Sequence, residues 1–173
     1  YPEVNGSRRL RTLIAGLYDG VSADQVLVTV GGAEANAIAV ETLVRPGDEV
    51  VVMSPSYAQV EGLARNRGAV VRTFALDPDR AWALDLEAFA AAVTPETRLV
   101  ALTNPNNPTG HVMSAAELDA VVDIVRAAGC WLLADEVYRG SEIDTDLETP
   151  TLLGRYERVV SVNSLSKAYG LSG

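Results

Sequence analysis

The sequence predicts an α/β fold: a doubly wound, mostly parallel β-sheet with helices on both faces. Three observations carry that prediction. Six apolar, β-rich runs recur along the chain and are nearly continuous rather than alternating, the pattern of strands buried on both faces. Segments with helical spacing separate most of them. The composition, 48% hydrophobic and 21% charged over 173 residues, is that of a globular domain with enough chain to enclose a core.

The elements follow in order. Residues 25–30 (QVLVTV) are predicted as the first strand. A helix over 32–44 (GAEANAIAVETLV) has apolar residues at helical spacing and ends before the RPGD turn. The second strand is 48–53 (DEVVVM), and the helix over 57–68 (YAQVEGLARNRG) closes at a glycine. The third strand is 69–74 (AVVRTF). A helix over 85–93 (DLEAFAAAV) opens on Asp85, a residue type that caps helix starts. The fourth strand is 98–103 (RLVALT). The helix over 114–129 opens with Ser114 and Glu117 at capping-box spacing and stops at Gly129. Strands over 130–135 (CWLLAD) and 158–163 (RVVSVN) complete the set, and the polar stretch 140–154 reads as a long surface loop. No internal repeat or low-complexity tract interrupts the pattern.

Charge and rare residues exclude several function classes. The net charge of −9, from 23 acidic and 14 basic residues, argues against a nucleic-acid or membrane-surface footprint. No apolar run reaches the ~18 residues of a membrane span, and no signal-peptide pattern opens the chain. One cysteine, Cys130, rules out an internal disulfide and fits a reducing compartment. One histidine, His111, leaves no His/Cys metal cluster. The cytoplasm is therefore the expected location.

In a doubly wound sheet, ligands bind outside the carboxyl ends of the strands. The predicted strand ends carry GGAE, SPSY, NPNNPTG, DEVY and NSLSK, all small, polar or ionisable. Lys167 follows a buried strand and sits among small polar residues. A surface lysine needs no such setting, whereas one that forms a Schiff base must lose its proton near neutral pH and be held in place. Asp135 ends an apolar strand, a costly position for an acid without a partner; capping the next helix is its plainer reading. Gly31, Gly32 and Ala33 open a helix, where backbone N–H groups bind phosphate and glycine permits close approach. The stretch GGAEAN lacks the third glycine of the dinucleotide pattern.

NPNNPTG (104–110), ADEVY (134–138) and SLSKAYG (164–170), in that order and spacing, resemble the fold type I aminotransferases that use pyridoxal 5′-phosphate (PLP). The resemblance covers nearly the whole chain. It implies that Lys167 forms the imine with the cofactor and then moves the substrate Cα proton. It implies that Asp135 keeps the pyridine nitrogen protonated; Glu136, next to it on an extended backbone, is expected to point elsewhere. By the same resemblance, the Tyr138 hydroxyl and the Asn107 amide bond the cofactor's phenolic oxygen, and Tyr57 stacks on its ring. Tyr138 and Tyr57 also read as packed core tyrosines, and Asn107 as a turn residue. Gly32 and Ala33 would hold the phosphate, although the family often has a hydroxyl residue where Ala33 stands. Ser164 and Ser166 would supply hydroxyls from the other side. The resemblance also implies a cis bond at Asn107–Pro108 and, for Tyr1, a reach across a homodimer to the partner's cofactor phosphate.

Set against this family, the chain reads as residues 1–173 of a PLP-binding large domain. The N-terminal arm, the C-terminal small domain and two arginines that grip the phosphate and the substrate carboxylate would lie outside it. Alone, such a piece would expose a sheet edge and be poorly stable and inactive. The expected activity is transamination between an L-amino acid and a 2-oxo acid. A PLP-dependent lyase or decarboxylase, or an aminotransferase-like sensing domain of a regulator, are the alternatives.

Overall fold

The computed structural model describes residues 3–143 and 148–172. Helix α1 (Arg8–Ala15) is capped by the Ser7 hydroxyl, which accepts from the Leu10 N–H. The buried Arg11 anchors it: Nε donates to the Gly6 carbonyl at 3.0 Å and Nη1 to the Ala23 carbonyl at 2.8 Å. The chain then makes a short 3-10 turn at Ala23–Gln25 and runs to Val30 without forming the predicted strand. Val28 N–H bonds the Asn5 carbonyl, but no described strand pairs with this run. A strand needs a ladder partner as well as β-rich residues, and here Leu27 and Val30 stay exposed.

The remaining elements are α2 (Gly31–Leu43), β1 (Glu49–Ser54), α3 (Gln59–Asn66), β2 (Val70–Asp77), β3 (Ala83–Leu84), α4 (Leu86–Ala92), β4 (Thr97–Thr103), α5 (Ala115–Ala128), β5 (Trp131–Asp135) and β6 (Val159–Val162). The other five predicted strands and the four predicted helices form close to their expected bounds. Asp85 Oδ1 accepts from the Glu87 and Ala88 N–H groups at the start of α4. Ser114 and Glu117 form the reciprocal capping box of α5. Helix α1, the two-residue β3 and the short 3-10 turns at Ala23–Gln25 and Pro78–Arg80 are additions to the sequence reading.

The sheet order is β3-β2-β1-β4-β5-β6. Every pairing is parallel except β2 with β3. The chain moves outward from β1 through β2, then returns by α4 to β4 and moves outward the other way to β6. The order therefore reverses between β1 and β4, and the crevice of this sheet type opens above that point.

Successive residues of each inner strand serve opposite faces, which is why the runs are continuously apolar. Val51, Met53, Val100, Leu102 and Leu132 pack under α4 and α5 with Phe89, Leu118 and Val121. Val50, Val52, Leu99, Ala101 and Leu133 pack under α2 and α3 with Val40, Val60 and Ala64.

The stretch 140–154 departs from the surface loop expected of it. Thr149 and Leu152 are buried, and Leu152 joins the α4–α5 side of the core. The cause is Glu136, only 1% exposed. Its carboxylate accepts from the Thr151 hydroxyl, the Leu152 N–H and the Ser161 hydroxyl. A buried carboxylate without such donors would be strongly destabilising, so the polar loop folds inward to supply them. Residues 144–147 of the loop lie outside the described residues.

Candidate active site

Because β1, β4, β5 and β6 run parallel, their carboxyl ends share one rim. Thr103 is in register with Asp135, and Asp135 with Val162. The first turn of α2 packs against the same rim. Gly31 takes a left-handed φ of +74°, which turns the chain into the helix. A Cβ on Gly32 would lie 3.0 Å from Val137 Cγ1 and 3.5 Å from Val162 Cγ1. Only a residue without a side chain lets this turn sit so close to the ends of β5 and β6. The Glu34 carboxylate accepts from the Val30 N–H, and among the described residues no side chain bonds the N–H groups of Gly32 and Ala33, which leaves these two available to an anion.

Asp135 is 7% exposed. Its Oδ2 accepts from Asn36 Nδ2 at 2.9 Å and its Oδ1 from the Val137 N–H at 3.3 Å. Burial pushes its pKa up, against these two donors, which pull it down. No ion pair among the described residues reaches it. It lines a cavity of about 240 Å³ at the β1–β4 reversal, together with Ser54, Ser56, Tyr57 and Thr103. Tyr57 is 59% exposed, so it is a wall of this cavity rather than the packed core tyrosine that its sequence also allowed.

A second group forms beyond the ends of β4, β5 and β6. Asn107 Nδ2 donates to the Tyr138 hydroxyl at 3.2 Å, and Lys167 Nζ lies 5.5 Å from the centroid of the Tyr138 ring. The 104–110 loop that carries Asn107 is braced by its own asparagines. Asn106 Nδ2 donates to the Pro55 carbonyl at 2.9 Å, which ties this loop to the end of β1, and Asn104 Oδ1 accepts from the Met113 N–H at 2.8 Å. The loop is thus a braced turn that also carries Asn107 to the Tyr138 hydroxyl. The Asn107–Pro108 bond is cis, as are Asn104–Pro105 and Ser54–Pro55.

Lys167 is exposed. It follows β6, the last strand of the described sheet, and no described element covers it there. The Ser164 and Ser166 hydroxyls bond each other at 3.0 Å, and Ser164 Oγ also accepts from the Ser166 N–H. Ala33 bonds through its carbonyl, which accepts from Gln59 Nε2 at 2.8 Å. Tyr1 lies outside the described residues.

Sequence reasoning missed Asn36 and Gln59. The signal was present for Asn36: it shares the buried stripe of α2 with Ala39 and Val40 and is the polar member of it.

The shape and chemistry of this rim fit PLP. It offers a glycine cradle at a helix start, a buried acid without a cation beside it among the described residues, an aromatic wall, and a paired tyrosine and asparagine next to a lysine. The comparisons agree. The chain belongs to the family described as aminotransferase class I and II, whose match spans residues 1–173 and whose members depend on PLP. It is 40% identical to a probable N-succinyldiaminopimelate aminotransferase of Mycobacterium tuberculosis, over 100% of this chain and 46% of that protein. It is 34% identical to an arginine–pyruvate transaminase of Pseudomonas aeruginosa, again over 100% of this chain and 46% of the relative. Among solved structures it superposes on a PLP-dependent aminotransferase from Streptococcus suis with a TM-score of 0.92 and 35% identity, covering 98% of this chain and 45% of that one. The chain thus spans about half the length of the relatives it matches.

Proposed function

We propose that this chain, residues 1–173, is most of the PLP-binding large domain of an aminotransferase that moves an amino group between an L-amino acid and a 2-oxo acid. The observation that carries the reading is Asp135. A carboxyl group so buried, with no cation beside it among the described residues, is poised to pair with one brought by a ligand. The protonated ring nitrogen of PLP is such a cation.

Each residue then has a task. The N–H groups of Gly32 and Ala33 hold the phosphate at the start of α2, with the Ser164 and Ser166 hydroxyls close in sequence to the attachment point. Tyr57 would cover one face of the ring. Tyr138 and Asn107 would donate to the phenolic oxygen and favour its ionised form. Lys167 Nζ would be the attachment point, and its amine, once released, would hold and move the substrate Cα proton. Asp135 keeps the ring nitrogen protonated. When bound, PLP supplies the electron sink for the pair left behind at Cα.

The reading extends to a cytoplasmic homodimer, with Tyr1 reaching the partner's phosphate. No helix among the described residues is long and apolar enough to cross a membrane. Light scattering on the intact enzyme tests the dimer. The activity test incubates the intact enzyme with PLP, a panel of L-amino acids and either 2-oxoglutarate or pyruvate. Formation of the amino acid that corresponds to the acceptor supports the reading. Release of ammonia or carbon dioxide that does not depend on the acceptor would replace it with a lyase or decarboxylase.

A further inference from the structure

Helix α2 buries Asn36, Ala39 and Val40 on one stripe. A buried position on such a stripe ordinarily takes an apolar residue, because an amide there is destabilising unless it is hydrogen-bonded. Asn36 is 2% exposed, and its amide is committed: Nδ2 lies 2.9 Å from Asp135 Oδ2, across 99 positions of sequence, and 3.3 Å from Gln59 Oε1. Gln59 in turn donates from Nε2 to the Ala33 carbonyl at 2.8 Å. One hydrogen-bonded chain therefore runs from the first turn of α2, through α3, to the carboxylate at the end of β5.

From this geometry we propose that Asn36 is a positioning residue for Asp135, and that Gln59 couples it to the phosphate end of the site. The proposal rests on the functional reading above for what Asp135 holds. A carboxylate has about four lone-pair directions. Asn36 and the Val137 N–H occupy two of them, which fixes the carboxylate plane and leaves the remaining directions for a donor in the cavity. Gln59 sets the orientation of the Asn36 amide. With its carbonyl accepting from Asn36, the donor side of that amide, and not Oδ1, must face Asp135. Asn36 Oδ1 is buried and has no protein partner among the described residues, so the bonds its amide makes are those of Nδ2, to Gln59 and Asp135.

The other titratable groups around Asp135 are accounted for. Tyr57 and Glu61 line the same cavity, and Glu61 is paired with Arg65 at 2.8 Å. Glu136, next in sequence, is held by Thr151, Leu152 and Ser161. On α2, Glu34 accepts from the Val30 N–H. Lys167, beyond β6, lies over the Tyr138 ring.

The test uses the intact enzyme with aspartate carboxyls labelled by carbon-13, the Asp135 signal being assigned with Asp135→Asn. In the PLP-free protein, Asn36→Leu removes the donor and is expected to move the Asp135 titration to higher pH. In the PLP-loaded enzyme, kcat should fall roughly 10- to 100-fold with KM nearly unchanged, the scale of one hydrogen bond to a charged group. Asn36→Ser, which keeps a donor, should recover part of both effects, and it serves if the leucine variant folds poorly. Gln59→Leu should weaken PLP binding and move the Asp135 titration in the same direction by less. An Asp135 titration unmoved by Asn36→Leu overturns the proposal, even if activity falls together with the melting temperature. If wild-type enzyme shows no transamination while Asn36→Leu still moves the titration, the functional reading fails and the positioning contact stands.

Discussion

Replacing Asp135 by asparagine separates what this acid does for the fold from what it does for chemistry. In the structure both carboxylate oxygens accept: Oδ2 from Asn36 Nδ2 and Oδ1 from the Val137 N–H. An asparagine has one acceptor and one donor end, so in either orientation its NH₂ meets a donor. A buried donor left without an acceptor costs about 1–3 kcal/mol. Two features reduce that. The Asn36 amide can rotate to offer Oδ1, which has no partner in the wild type, at the loss of its 3.3 Å bond to Gln59. The substitution also removes a carboxyl whose ionised form burial disfavours. The net fold cost should be about 1 kcal/mol, which lowers the melting temperature by roughly 2–4 °C for a protein of 150–250 residues and less for a longer one. The chemical cost is larger. An amide cannot hold the ring nitrogen protonated, and loss of one preorganised electrostatic contact at a reacting centre costs ~10²–10³ in kcat. The assay pairs thermal unfolding with single-turnover transamination in the intact enzyme. A rate within a few-fold of wild type, accompanied by a marked loss of melting temperature, would refute the reasoning and make Asp135 a structural residue.

Borohydride reduction of the PLP-loaded enzyme followed by peptide mapping is expected to place the label on Lys167, and Lys167→Ala should abolish turnover while retaining some PLP; a label on another lysine contradicts the assignment. Gly32→Ala places a Cβ 3.0 Å from Val137 Cγ1, so Val137 or the first turn of α2 must give by a few tenths of an ångström; PLP affinity measured by fluorescence should drop about tenfold, the equivalent of ~1.4 kcal/mol, with little change in melting temperature because alanine favours the helix. An unchanged affinity would show that this turn does not hold the phosphate. The Cys130 thiol is pushed up to about 11 by burial, against the pull of a backbone hydrogen bond and the Arg158 charge. It stays protonated at pH 8, so iodoacetamide should label the folded protein slowly and the unfolded one fast, and rapid labelling of the folded form would contradict its placement.

Much of the fold was legible in sequence because the signals are local. Strands such as 49–54 and 99–102 read as continuous apolar runs since α2–α3 cover one face and α4–α5 the other. The caps at Asp85 and Ser114 read directly because a capping bond spans two or three residues. Lys167, Asp135 and the 104–110 loop stood out because each breaks the local pattern around it, a lysine among small polar residues, an acid ending an apolar strand, and a dense set of turn formers. Tertiary structure decided the rest. Residues 25–30 have the residue types of a strand, but a strand also needs a neighbour, and no described strand pairs with them. The 140–154 loop is polar enough for the surface, yet Glu136, buried at the end of β5, draws Thr151 and Leu152 inward for their donors. Asn36 reads as an ordinary helix residue until α2 folds onto the end of β5 and sets its amide against a carboxylate 99 positions away. Residue type and short-range spacing fix which elements form; which polar groups meet depends on contacts between segments far apart in sequence, and those exist only once the sheet has assembled.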